Sequence, residues 1–250
     1  MYSKSFRNLV NAFSVATLCL LIPATALAQN GKQEFKSETV VSGLENLWGM
    51  AFLPNGDLLV TERPGRLRVV KNGVLQETPV SGTPTVHAKG QGGLLDIALH
   101  PDFATNKMVY FSYSKPVGDN STTAIARGKL ENNAIVGLED IFVANSKGGG
   151  HYGSRIVFDN DGFLFFSVGD RQASPMKDRL THPAQDITNH HGTINRIHDD
   201  GRIPTDNPFV NQNGAEPSIW SYGHRNPQGM TIDRATGNIW ATEHLSLIHI

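Results

Sequence analysis

The chain is nearly free of thiols: among its 250 residues only Cys19 is a cysteine. Structural disulfides, iron–sulfur clusters, cysteine-bound zinc and a cysteine nucleophile in the body of the chain are thereby excluded. Charge is sparse as well, with 18% Asp, Glu, Lys and Arg and a formal net charge of -1. Without a basic stripe or run, neither a nucleic-acid groove nor a polybasic membrane surface is expected. The same sparseness argues against disorder and coiled coil. No apolar run reaches the roughly 20 residues that a membrane-spanning helix requires. Also missing are a P-loop, a G-x-S-x-G elbow and a dinucleotide fingerprint. Gly90-Gln91-Gly92-Gly93 lacks the strand–helix setting of a nucleotide cradle.

Glycine and proline are plentiful, at 25 and 13 residues, which suits many tight turns and poorly suits long helices. The first 28 residues read as a secretory signal peptide. Lys4 and Arg7 precede a short apolar run over 15–22, and Ala26-Leu27-Ala28 supplies the small residues of a cleavage site. This places the mature protein in the periplasm or outside the cell. Cys19 lies in the segment removed, so the mature chain would carry no thiol.

Beyond residue 44 the pattern is strand, turn, strand. Apolar segments flank Pro54-Asn55-Gly56-Asp57, Asn72-Gly73, Asn160-Asp161-Gly162 and Ala235-Thr236-Gly237-Asn238. Turn residues ahead of outgoing strands, Gly56, Asn106, Gly162 and Gly237, are separated by 50, 56 and 75 residues. Units of about 40–50 residues built from antiparallel strands indicate an all-β propeller with insertions. The alternative is a β-sandwich, whose turns recur without a longer period.

Two polar loops hold chemically capable groups. His151 follows three glycines and precedes Tyr152-Gly153. It serves equally as an accessible acid–base group or as the end of a surface loop. His224-Arg225-Asn226-Pro227-Gln228 gathers a fixed cation and two amides around a stiffening proline. Arg225 is suited to binding a carboxylate or stabilising developing negative charge, and the competing reading is a network that closes a blade. The adjacent His190 and His191 point apart with no third ligand spaced to join them, so a solvated loop is expected instead of a metal site. Asp119-Asn120 and Asp199-Asp200-Gly201 read as turns, because the rest of a calcium loop is missing.

Taken together, LWGMAFLPNGDLLVTERPGRL, GQGGLLDIALHPDF, HYGSRIVFDNDGFLFFSVGD, GRIPTDNPF, IWSYGHRNPQGM and ATEH resemble the soluble periplasmic aldose sugar dehydrogenases that depend on pyrroloquinoline quinone (PQQ). These are relatives of the soluble glucose dehydrogenases. The segments occur in family order over residues 44–244. The resemblance implies a six-bladed β-propeller in the full-length family, with about four blades in this chain. It implies oxidation of an aldose sugar at its anomeric carbon by hydride transfer to PQQ, with electrons passing to an external acceptor. His151 matches the general base that meets the sugar, and Gln91 matches a side chain lining the sugar pocket. Arg225 and Asn226 match groups at the reactive quinone oxygens, with Gln228 in the same motif. His244 stands just before a Gly-Pro pair whose carbonyls hold calcium in the family. The competing readings are a sorbosone or other aldehyde dehydrogenase with the same cofactor, and a non-catalytic binding propeller. The latter has no need for a base together with an Arg-Asn pair.

The sequence departs from this pattern after His244. Leu245-Ser246-Leu247-Ile248-His249-Ile250 replaces the Gly-Pro, so the calcium-binding carbonyls are missing. Residues 245–250 are expected to be a translated sequencing adapter. Residues 29–244 would then be a partial propeller domain, a fragment without dehydrogenase activity of its own. For the leader, N-terminal sequencing of exported protein should return Gln29 as the first residue. Recovery of residues 1–28 still attached would refute the assignment.

Overall fold

The computed structural model describes residues 35–174 and 179–245. The expected signal peptide, and all of the 245–250 tail except Leu245, lie outside them. A compact unit begins at Thr39 and consists of four antiparallel sheets in chain order. The first contains Leu47–Phe52 (β1), Leu58–Glu62 (β2), Arg66–Lys71 (β3) and Val74–Leu75 (β4). The second contains Leu94–Leu99 (β5), Met108–Val117 (β6), Asn120–Glu131 (β7) and Ala134–Val143 (β8). Ile156–Phe158 (β9), Leu164–Val168 (β10), Thr193–Ile197 (β11) and Ile219–Tyr222 (β12) make the third. Pro227–Ile232 (β13) and Ile239–Glu243 (β14) make the last, with two strands. Each sheet is a simple up-and-down meander. The first strands pack in series, β1 against β5, β5 against β9 and β9 against β13. This is the blade arrangement of a propeller.

The distribution of apolar side chains explains why the sheets stack radially. Along β6, Val109, Phe111 and Tyr113 enter one core with Leu59, Leu67 and Leu94 of the first two sheets. Tyr110 of the same strand enters a second core with Ile156, Phe158, Leu164 and Phe166 of the third. Alternate residues of a strand point to opposite faces, so a strand apolar at both parities must be covered on both sides. A two-sheet sandwich covers only one face of each sheet; successive blades cover both. The terminal sheets keep apolar residues in the open, with Phe52 of β1 68% and Trp240 of β14 64% exposed.

Where the inner strands meet, one buried pair ties them. Asp96 of β5 accepts from Arg155 Nη1 at 2.9 Å and from the Ile156 N–H of β9 at 2.8 Å. Arg155 Nε donates to the Gln228 carbonyl of β13 at 3.0 Å, and its guanidinium lies 4.7 Å from the Trp48 ring of β1.

The turns refine the expectations. At Asn72-Gly73 both residues have positive φ, as the tight two-residue hairpin requires. In the Leu53–Asp57 turn only Gly56 does, and Leu53 N–H donates to Asp57 O at 2.8 Å across a longer loop. The same closure recurs between Asp159 and Phe163, at 3.0 Å. In the second blade the expected turn residue Asn106 ends a short helix, Phe103–Asn106 (α1), and Lys107 carries the left-handed backbone. The 75-residue spacing before Gly237 is accounted for by the long connections on either side of β11.

Phe111 is fully buried between the first and second sheets. Phe111→Ala should therefore cost about 3–5 kcal/mol, whereas Phe52→Ser should stay within about 0.5 kcal/mol. Urea unfolding of this chain checks both; equal shifts would contradict the two-sided core.

Candidate active site

All six side chains singled out from the sequence, Gln91, His151, Arg225, Asn226, Gln228 and His244, line one cavity of about 400 Å³. Trp48 and Arg63 complete the lining. The cavity lies where segments next to the inner strands of all four sheets converge, and among the described residues no acidic side chain is part of its wall.

His151 is held by its neighbours from every side. It is 7% exposed, and its backbone has a φ of 45°, a conformation that non-glycine residues rarely adopt. Its N–H donates to Gln91 Oε1 at 2.7 Å. Its Nδ1 stands 2.6 Å from Asp170 Oδ1, just past β10. An ionised carboxylate only accepts, so Nδ1 donates to it, and in the neutral ring the lone pair falls to Nε2. Asp170 is fixed in turn by the Gln172 N–H at 2.9 Å, and its own N–H donates to Arg225 O at 2.8 Å. Arg171 wraps the loop, donating to the Gly148 carbonyl and, at 3.3 Å, to that of His151, with its guanidinium 3.8 Å from the Tyr152 ring. Burial pushes the Arg171 guanidinium below its ordinary value. Gly169 lets the end of β10 pass beneath: a Cβ there would stand 2.0 Å from the His151 carbonyl oxygen.

The opposite wall belongs to the fourth sheet. Asn226 Oδ1 accepts the Gly153 N–H at 3.0 Å, locking this wall to the His151 loop. Glu243 anchors the Arg225–Asn226 turn, accepting the Arg225 N–H at 2.6 Å and the Asn226 N–H at 3.3 Å. Burial pushes the Glu243 carboxyl up, but these bonds and the one from His224 outweigh it and hold the carboxyl below its ordinary range. Arg225 Nη1 donates to His244 O at 2.7 Å. Arg225 Nη2, Asn226 Nδ2 and Gln91 Nε2 make no hydrogen bond to another described residue. The cavity thus presents donors and fixed positive charge, which suits an anionic ligand.

Sequence reasoning missed Asp170, Glu243, Trp48 and Arg63. Asp170 ends the quoted HYGSRIVFDNDGFLFFSVGD motif, and its place just past a wholly apolar strand was the available signal. His190 is a correction. It is 4% exposed instead of solvated, accepting the Asn145 N–H on Nδ1 at 2.9 Å and bonded through Nε2 to Ser218 Oγ at 3.0 Å. Both ring nitrogens cross-link strands and loops. Among the described residues no group of three or more His, Cys, Asp or Glu side chains is disposed to hold a metal.

Blades thus converge on a donor-lined cavity that holds a carboxylate-backed histidine. The chain belongs to the Glucose / Sorbosone dehydrogenase family, whose profile matches residues 44–246. It is 46% identical over 231 residues to the uncharacterized protein slr1608 of Synechocystis, covering 87% of this chain and 56% of that protein. To the aldose sugar dehydrogenase YliI of Escherichia coli it is 40% identical over 214 residues, covering 83% and 56%. Its fold matches the PQQ-bound aldose sugar dehydrogenase of Streptomyces coelicolor with a TM-score of 0.70 at 32% identity, over 82% of this chain and 58% of that one. The chain therefore spans little more than half the length of these relatives. No helix among the described residues is long and apolar enough to cross a membrane.

Burial lowers His190 from its ordinary 6.5 to about 4. Between those values the unfolded chain binds the proton and the native one does not, so this residue's contribution to stability declines as pH falls through that window. Asp96, which burial pushes up to about 6, acts in the opposite sense. The difference between wild type and His190→Gln isolates the histidine. The stability deficit of the variant at pH 7 should shrink steadily toward pH 4 in denaturant titrations; a constant deficit would contradict the assignment.

Proposed function

We propose that this chain carries the catalytic half of an exported, PQQ-dependent dehydrogenase that oxidises aldose sugars at the anomeric carbon. The observation that carries the reading is the His151–Asp170 pair, which leaves Nε2 free in a cavity whose opposite wall carries the Arg225 guanidinium. Bound PQQ supplies the two-electron quinone oxidant. Arg225 and Asn226 would hold its quinone edge, with Gln228 and His244 beside them.

The residues of this chain then divide the work. His151 Nε2 takes the proton of the sugar's anomeric hydroxyl, and Asp170 keeps the ring in the tautomer that makes this possible. The imidazolium that results is stabilised by the adjacent carboxylate. Gln91 orients the sugar with its free amide while its oxygen holds the His151 backbone. Arg225 offers a fixed guanidinium to charge that develops opposite the base, without reorganising as it does so. Trp48 supplies an apolar wall that excludes water. Calcium is assigned no ligand among the described residues. Electrons leave to an external acceptor, and the complete gene product, carrying the blades that this chain lacks, is the active species.

In that complete protein, His151→Gln should lower turnover about 10²–10⁴-fold with PQQ affinity nearly unchanged. Arg225→Ala should weaken PQQ retention and also slow oxidation about 10²–10³-fold. Absorbance titration with PQQ and steady-state sugar oxidation with an artificial acceptor separate the two. Near-normal turnover in His151→Gln would remove the base from this loop.

A further inference from the structure

Arg63 lines the cavity but has no part in the chemistry just described. It follows β2 and reaches from the first sheet to the loop before β5. Its Nε donates to the Gly92 carbonyl at 3.2 Å and its Nη2 to the same oxygen at 3.1 Å and to the Gly90 carbonyl. These two carbonyls flank Gln91, whose side chain holds the His151 N–H. Nη1 makes no hydrogen bond to any described residue and is not buried. The guanidinium is therefore immobilised along one edge and open along the other, beside Gln91. Among the described residues no carboxylate in the cavity wall neutralises it. The nearby acidic groups are committed elsewhere, Asp170 to His151, Asp96 to Arg155 and Glu243 to the Arg225–Asn226 turn.

An immobilised guanidinium with a free N–H edge is a carboxylate receptor. Two carboxylates could reach this cavity, one on the cofactor and one on the substrate. The proton-abstracting His151 and Gln91 stand on the Arg63 side, whereas Arg225 and Asn226 form the opposite wall. We infer that Arg63 is a specificity-determining residue that receives the carboxylate of a uronic acid, so that the site accepts acidic aldoses as well as neutral ones. This inference rests on the function proposed above. The reaction itself is unchanged. The C1–H bond breaks, its electron pair leaving as hydride for the quinone oxidant. The C1 hydroxyl proton goes to His151 Nε2, and C1 becomes the carbonyl carbon of a lactone. The substrate carboxylate neither gains nor loses a bond.

The test compares D-glucuronate with D-glucose in the complete protein reconstituted with PQQ and calcium. Arg63→Gln should lower the ratio of kcat/KM for glucuronate to that for glucose about tenfold or more, the loss expected for one charge-assisted hydrogen bond. Arg63→Lys keeps the charge but not the two-carbonyl grip. It should lower both values through a slackened Gln91 loop while holding their ratio nearer that of wild type. Calorimetric titration of the cofactor-free protein with sodium glucuronate gives a readout apart from turnover, and binding should be lost in Arg63→Gln. An unchanged ratio would overturn the inference, as would a fall in PQQ affinity that affects both sugars equally, which would make Arg63 a cofactor ligand. Failure of the wild type to oxidise either sugar with PQQ would instead refute the underlying function.

Discussion

All four sheets meet at the carboxylate of Asp96. It draws in the third sheet through the guanidinium and main chain of Arg155 and Ile156, and through Arg155 it reaches the fourth sheet at Gln228 and the first at Trp48. Apolar contact between blades is strong but non-directional, and fixes separation better than register. The buried pair supplies the missing directionality. Its net contribution to stability is small or even unfavourable, since desolvation offsets much of the attraction, but loss of Arg155 would strand the buried Asp96 carboxylate, whereas Arg155 itself is partly exposed. Two of the groups it positions, Trp48 and Gln228, line the cavity. The same contacts that set the blades in register therefore set the width of the site.

Above that pin, the cavity wall is assembled by relays between sheets. Arg63 from the first sheet grips the loop of Gln91, and Gln91 holds His151. Asn226 of the fourth sheet holds Gly153, and Asp170 joins His151 to the backbone of Arg225. Few of these bonds join neighbours in sequence. Gln91, Asn226 and Arg225 each spend one side on such a bond and keep unused donors toward the cavity, which is why the site is rigid and still rich in them. Asp170 and Glu243 are spent as anchors outside the wall, so Arg63 and Arg225 bring positive charge to it without any basic run in the sequence.

This division also explains what could be read beforehand. The glycine loop before His151 and the His-Arg-Asn-Pro-Gln cluster are unusual in composition and drew attention on their own, but it was the resemblance that joined Gln91 and His244 to His151, Arg225, Asn226 and Gln228 as a set. The strand-and-turn rhythm likewise pointed to blades. Asp170 and Glu243 were given no role, although Thr242-Glu243-His244 stood out as a segment, because a single acidic residue at or just past a strand end looks like any other. Its role depends on a partner 19 residues away in one case and 18 in the other. His190 was misjudged for the same reason, as adjacency in sequence says nothing about the Asn145 and Ser218 groups that enclose it. The longest blade interval was obscured by connections that lie outside the sheets.

The left-handed backbone of His151 has a consequence for how this position tolerates change. A histidine held there sacrifices on the order of 1–3 kcal/mol of backbone energy, which the bonds from Asp170, Arg171 and Gln91 offset. Glycine would carry no such penalty and asparagine little. Position 151 is thus one where the backbone alone favours glycine, while the buried Asp170, which such a change would leave without its ring partner, holds the position to histidine. The strain is kept in place by the same carboxylate that orients the base.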